Sequence, residues 1–206
     1  MYIPKAFRED DTATLHKLMR EYSFATLITQ QDGVPLASHL PFVLDAEPGS
    51  YGTLFGHMAR ANSQWQTFEE GQEALVIFQG PHSYITPSWY EAKLAVPTWN
   101  YAVVHAYGVP HLIEDKTLLY SLLQKLVQTY EARFETPWPF KSLPDDYVQK
   151  MMQGIVGFEI PVTRLEGKFK LSQNRPESDR ARVATVLSDN QDELSTGVAA
   201  LMQSPK

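Results

Sequence analysis

Phe24-Ala25-Thr26-Leu27-Ile28-Thr29, then Gln31-Asp32-Gly33, then Leu36-Ala37-Ser38-His39-Leu40-Pro41-Phe42-Val43-Leu44 is the stretch that decides the fold. Two apolar runs joined across Asp-Gly predict a β-hairpin. Asp45 to Gly52, with Pro48 and Gly49, reads as the next turn, and residues 51–57 return as a third strand. Upstream, Asp10 or Asp11 can cap a short helix over 10–22, where Leu15, Leu18, Met19 and Tyr22 keep helical spacing. Downstream, 61–68 reads as a short helix, 74–78 as a buried strand, 99–113 as one long alternating strand and 155–162 as another. Leu118, Leu119, Leu122, Leu123, Leu126, Val127 and Tyr130 mark an amphipathic helix, and Pro144-Asp145-Asp146 opens a second that runs to Met152. Residues 176–187 and 191–202 read as two terminal helices. About six strands joined by hairpins, with helices inserted late, predict a mainly β, α+β chain. That is an antiparallel barrel or sheet with appended helices, not a doubly wound fold. One domain over 1–206 is expected, with a helical insertion at about 115–152 and C-terminal helices at about 176–203.

The chain has 206 residues, 43% hydrophobic and 20% charged, enough for a core that buries about 70% of the unfolded surface. Lys+Arg is 18 and Asp+Glu is 24, a formal charge of −6, which excludes a basic nucleic-acid footprint over the whole surface. With no cysteine, thiol catalysis, disulfides and cysteine metal sites are excluded. The first ten residues lack a long apolar stretch and no run approaches a bilayer span, so a cytoplasmic protein is expected. No P-loop, G-x-G-x-x-G, G-x-S-x-G or H-E-x-x-H pattern occurs, and no metal is expected. His105 and His111, six apart on the presumed strand, would share a face, as surface or interface residues or as part of a site. No catalytic residue is identified, and whether the chain turns over a substrate stays open.

Four segments carry candidate chemistry. Pro41 costs a ladder hydrogen bond, so Ser38-His39-Leu40-Pro41-Phe42 is an edge or bent strand that either presents backbone to a flat ligand or is plain scaffold. Gly56-His57-Met58-Ala59-Arg60-Ala61-Asn62-Ser63-Gln64-Trp65 runs from strand end into helix start. His57, Arg60, Asn62 and free amides there can cradle a phosphate, or Asn62 or Ser63 merely caps the helix. Phe78 to Tyr90 and Val96-Pro97-Thr98-Trp99-Asn100-Tyr101 set aromatic rings beside amides and hydroxyls, as a planar ligand or a dimer interface requires. From Arg164 to Arg182 six basic and three acidic residues give +3, leaving −9 elsewhere, so this stretch is where an anion or DNA would bind, unless it is a solvated basic loop.

These segments resemble the FMN-binding negative transcriptional regulators of the PaiB type, which have the FMN-binding split-barrel fold. The matching pieces are Met1-Tyr2-Ile3-Pro4 with Phe7, Gly56 to Asn62, Phe78-Gln79-Gly80-Pro81-His82, Tyr84 to Tyr90, Val96 to Tyr101 and Gly167 to Arg175. They follow in order over residues 1 to about 187; the helix from Gln191 matches no motif. The resemblance implies a homodimer of split β-barrels with C-terminal helices and FMN at or near the dimer interface. By order along the chain, it implies that Ser38 and His39 line the flavin ring and that His57, Arg60 and Asn62 hold the phosphate. Gln79 is a further candidate, Thr98, Trp99 and Asn100 approach the flavin from either chain, and Lys168, Lys170 and Gln173 complete the set. Two functions follow: an FMN-binding regulator acting on DNA or through a partner, or an FMN-dependent oxidoreductase, a flavin reductase or oxidase with no DNA role.

Overall fold

The computed structural model describes residues 1–47, 49–92 and 94–203; Pro48, counted above in a turn, and residues 204–206 lie outside these. Ten strands and five α-helices are present among the described residues. In chain order these are β1 (Arg8–Glu9), α1 (Thr12–Glu21), β2 (Phe24–Gln31), β3 (Val34–Pro41), β4 (Val43–Asp45), β5 (Thr53–Ala59), β6 (Ala74–Ile85), β7 (Thr98–Gly108), β8 (His111–Ile113), α2 (Lys116–Glu131), α3 (Asp145–Met152), β9 (Ile155–Pro161), β10 (Arg164–Lys170), α4 (Glu177–Ser188) and α5 (Glu193–Gln203). A 3-10 helix fills Ser63–Glu70, where a short helix is predicted.

The chain divides into two compact units interleaved in sequence: residues 1–18, 79–105 and 166–206 form one, and 19–78 with 106–165 the other. The first unit carries the strand order β1-β10-β7-β6. Leu15 and Leu18 of α1 are buried in it, and a Cβ on Gly80 would stand 3.0 Å from the Leu18 Cδ1 atom and 3.1 Å from the Ala102 carbonyl oxygen. Both contacts are tighter than side chains ordinarily make, so a larger residue there would require its neighbours to give by a few tenths of an ångström. Helices α4 and α5 bury Val183, Leu187, Val198 and Met202.

The second unit carries β6-β2-β3 and a four-stranded sheet in the order β4-β5-β9-β8. The hairpin forms as expected: Gln31 faces Val34, and Asp32 and Gly33 take φ of 52° and 78°. Positive φ at both central residues is the primed turn whose twist matches paired strands. Its core is aromatic: Phe42 meets Phe78 and Phe158 edge-on at 6.0 and 6.1 Å, and Phe68 lies 5.1 Å from Phe158. Over the four-stranded sheet, α2 buries Leu119, Leu122 and Leu126 with Val148 and Met152 of α3 and Val43 of β4. Asp115 caps α2, accepting from the amides of Thr117 and Leu118 at 2.7 and 3.3 Å.

Several boundaries differ from the sequence reading. The strand expected at Leu36–Leu44 is two, β3 and β4 in different sheets, because Pro41 ends the ladder at an edge. The strand expected at 99–113 breaks at Val109-Pro110 into β7 and β8. His105 and His111 therefore share no strand face. Strand β6 continues from Phe78 to Ile85, and the stretch from Arg164 to Lys170 is the paired strand β10, not a solvated loop. Ten strands replace the expected six: β4 and β8 are cut off by the Pro41 and Pro110 breaks, and β1 and β10 are defined by pairing with each other, which a linear pattern does not contain.

Candidate functional site

The predicted residues fall into two groups, one in each unit. In the second unit β3 carries Ser38 and His39, β5 carries His57, and the turn leaving β5 carries Arg60 and Asn62. Asn62 joins them: its Nδ2 donates to the Ser38 Oγ at 2.9 Å, and its Oδ1 accepts the Gln64 amide at 3.1 Å, capping the 3-10 helix. The capping reading is thus realised, and three amides near the turn are already spent: Arg60 on Gly154, Asn62 on Ala59 and Gln64 on Asn62. The exposed Arg60 does not reach for those neighbours. Its Nε donates to the Gln153 carbonyl at 3.0 Å and its Nη2 to that of Ile155 at 2.9 Å. Two of its five N–H groups are engaged there, and the rest, with the full positive charge, remain for an anion. His39 is exposed and shares a 3.0 Å hydrogen bond with the Thr26 hydroxyl. His57 is half-buried, its Nδ1 has no described partner, and burial pushes its pKa below the usual 6.5.

Sequence reading missed Gln64, which holds this group in place. It is buried, and its Nε2 donates to the Leu27 and Leu36 carbonyls and the Thr29 hydroxyl at 3.3, 3.2 and 3.2 Å. One amide thereby ties both strands of the hairpin to the helix that Asn62 caps. The signal was present as Asn62-Ser63-Gln64-Trp65, but a polar residue in a short helix reads as surface until its burial is known.

In the first unit the exposed Trp99 stands 6.0 Å from the His82 ring and 5.9 Å from that of Tyr84. With Gln79, Tyr101, Ala102 and Val103, the His82 and Trp99 side chains line a cavity of about 380 Å³. The His82 Nδ1 is buried without a described partner. Lys170 donates to the Thr98 hydroxyl and, at 2.8 Å, to the Trp99 carbonyl. Burial, then the nearby Lys168, holds its pKa below the usual 10.5. Lys168 lies 5.7 and 5.3 Å from the Tyr2 and Tyr101 ring centres. Two predicted residues are instead satisfied inside the chain. Asn100 is fully buried and exchanges hydrogen bonds with the Ser172 hydroxyl at 2.9 and 3.2 Å. Gln173 accepts the Leu171 amide at 2.7 Å and donates to the Phe169 carbonyl at 2.5 Å.

The basic stretch 164–182 is largely committed. Arg164 pairs with Glu73 at 3.1 Å and stacks 3.4 Å over Tyr107, Arg180 pairs with Glu177 at 2.8 Å, and Arg175 lies 4.6 Å from the Tyr90 ring. No cluster of metal-ligating side chains occurs among the described residues, and no described helix is long and apolar enough to cross a membrane.

A flavin needs an apolar, aromatic-walled surface for its ring and cationic or hydroxyl donors for its phosphate. Within the first unit, the Trp99–His82–Tyr84 surface is of the aromatic kind. Within the second unit, taken by itself, Arg60, Ser38 and the unpartnered His57 nitrogen are groups of the phosphate-binding kind.

Comparison with known proteins bears on this arrangement. Residues 1–164 match the family described as "Putative FMN-binding domain". The chain is 38% identical over 203 residues to protease synthase and sporulation protein PAI 2 of Bacillus subtilis, covering 98% of this chain and 97% of that protein. It is 35% identical over 219 residues to an uncharacterized protein of Emericella nidulans, covering 87% of each. Among solved structures, the FAD and heme binding protein of Mycobacterium smegmatis superposes with a TM-score of 0.63 at 15% identity, covering 84% of this chain and 78% of that one. The flavocytochrome Anf3 of Azotobacter vinelandii gives 0.61 at 14%, covering 87% and 78%. These likenesses establish the fold, an α+β split barrel built of antiparallel sheets.

Proposed function

We propose that this chain, which belongs to the FMN-binding domain family, binds FMN and acts as a negative transcriptional regulator of the PaiB type. The observation that carries the flavin reading is the strand-to-helix turn of the second unit. There a charged Arg60, anchored by two carbonyls, sits two residues from an Asn62 that is bonded to Ser38. Arg60, Ser38, Asn62 and His57 would hold the phosphate, and His39 would approach the ring. In the first unit Gln79, Thr98, Trp99, Lys168 and Lys170 would contact the flavin, whereas Asn100 and Gln173 would position the strands that carry them. Bound FMN supplies hydride and one-electron chemistry; the chain's residues bind and orient it.

The regulatory reading rests on the likeness to PAI 2, a protein named for protease synthesis and sporulation, and that likeness favours it over the oxidoreductase alternative. The working form is a homodimer of one split-barrel domain per chain, in the cytoplasm. The exposed Tyr84, Leu94, Val96 and Trp99 supply the apolar surface for pairing. Committed cations in 164–182 favour action through a partner over direct DNA reading.

The test is titration with FMN and with riboflavin. The wild type should bind FMN near one per chain. Arg60→Ala removes a charge-assisted contact that only the phosphate ester makes, about 1.5–3 kcal/mol or ten- to a hundredfold in affinity. Riboflavin serves as the control for the two carbonyl bonds that the substitution also breaks. Equal losses for both ligands would remove Arg60 from the phosphate site, and no FMN uptake at excess would end the flavin reading.

A further inference from the structure

The second unit encloses another cavity, of about 520 Å³, below the helical insertion. None of Ser38, His39, His57 or Asn62 lines it; of the flavin candidates only Arg60 does. Its floor is apolar and firm. Leu119 and Met152 are buried there, and a Cβ on Gly157 would stand 2.5 Å from the Leu119 Cδ1 atom, so α2 rests directly on β9. Its rim is charged. Arg60 and Lys116 contribute two cations against the single carboxylate of Glu114, a formal +1. The Arg60 guanidinium is held in one orientation by the Gln153 and Ile155 carbonyls, while its Nη1 donates to no described residue. The Trp65 ring also lines the cavity, fixed by its Nε1 donating to the Arg60 carbonyl at 3.1 Å. The volume lies within the range of small-molecule sites.

An oriented guanidinium beside an apolar floor selects one ligand class. A purely apolar molecule leaves the rim unpartnered, and an inorganic anion leaves the floor wetted. We propose that this cavity binds a small organic monoanion with an apolar or aromatic body, its carboxylate at Arg60 and Lys116 and its body against Leu119 and Met152. A ligand of this class fits an effector of the regulator. Because Arg60 is also the proposed phosphate contact, such an effector would compete with FMN for it; binding of the probe itself does not rest on the flavin reading, since the probe is titrated against the chain without added FMN.

Isothermal titration of the full chain with 4-phenylbutyrate, and with its uncharged amide, tests the site. The acid should bind saturably at one per chain, and the amide at least tenfold more weakly, the cost of a lost charge-assisted hydrogen bond. Gln149 is exposed and lines the cavity, so the larger ring of Gln149→Trp should obstruct it, keep the thermal midpoint and weaken the acid at least tenfold. Lys116→Gln, at an exposed cation, should weaken it about two- to fivefold. No saturable binding at millimolar probe, equal affinity for acid and amide, or unchanged affinity in Gln149→Trp would each overturn the proposal.

Discussion

Gln64→Leu probes how the strand-to-helix turn is held. The Nε2 of Gln64 has two hydrogens and three acceptors within 3.3 Å, the carbonyls of Leu27 and Leu36 and the Thr29 hydroxyl. Two full hydrogen bonds are therefore lost, at about 1 kcal/mol net each. Leucine also removes the Oε1 atom, which is buried without a described partner, and this offsets part of the loss. The expected cost is about 1–2 kcal/mol, and at about 2–4 °C per kcal/mol for a chain of this size the thermal midpoint falls by about 2–8 °C. Gln64→Glu should be worse, because it turns a carboxylate toward the Leu27 and Leu36 carbonyl oxygens in a buried site. The Gln64 side chain contacts no proposed phosphate ligand, and the substitution keeps the backbone amide that Asn62 accepts, so FMN and riboflavin should weaken by similar factors, unlike the discrimination expected of Arg60→Ala. Scanning calorimetry with the two titrations reads all of this. An unchanged midpoint in Gln64→Leu, or a Gln64→Glu protein as stable as it, would refute the assignment of Gln64 as the tie between hairpin and turn.

Three further outcomes are expected. Burial lowers the His57 pKa, so the unfolded chain takes up a proton below pH 6.5 before the folded one does; stability should fall as pH drops from 6.5 through that window, and His57→Gln should flatten this loss in urea melts at stepped pH. Ser172 is buried at φ 61°, so Ser172→Ala keeps the backbone strain while losing both hydrogen bonds with Asn100, whereas Ser172→Gly loses the same two bonds but relieves the strain. The glycine variant should be the more stable by about 1 kcal/mol, and the reverse order in thermal melts would contradict strain at that position. Any DNA binding should be weak and vanish between about 50 and 200 mM salt, each phosphate contact adding about −0.9 to the slope of log K on log salt; nanomolar, salt-insensitive shifts would refute the charge argument.

The sequence by itself determined whatever depends on neighbours along the chain. Asp32-Gly33 specified a primed hairpin turn because only a few residues tolerate positive φ at both positions. The leucine spacing of 118–126 specified α2, and Pro41 announced an edge strand, because a missing N–H is a property of the residue itself. The ordered motifs from Gly56 to Arg175 also carried the family. Tertiary structure alone decided which polar groups were free. Asn100 and Gln173 looked like ligand-binding residues, yet burial turned their amides inward to Ser172, Leu171 and Phe169, since an unpaired amide away from water costs more than the bond gains. Gln64 was not singled out by the sequence and is a buried tie across the hairpin. Arg60 stood correctly in its turn, but the carbonyls that orient it come from residues 153 and 155, more than ninety positions away. Local pattern encodes backbone conformation, whereas the partners of a polar side chain are settled only when distant segments pack and water is excluded between them.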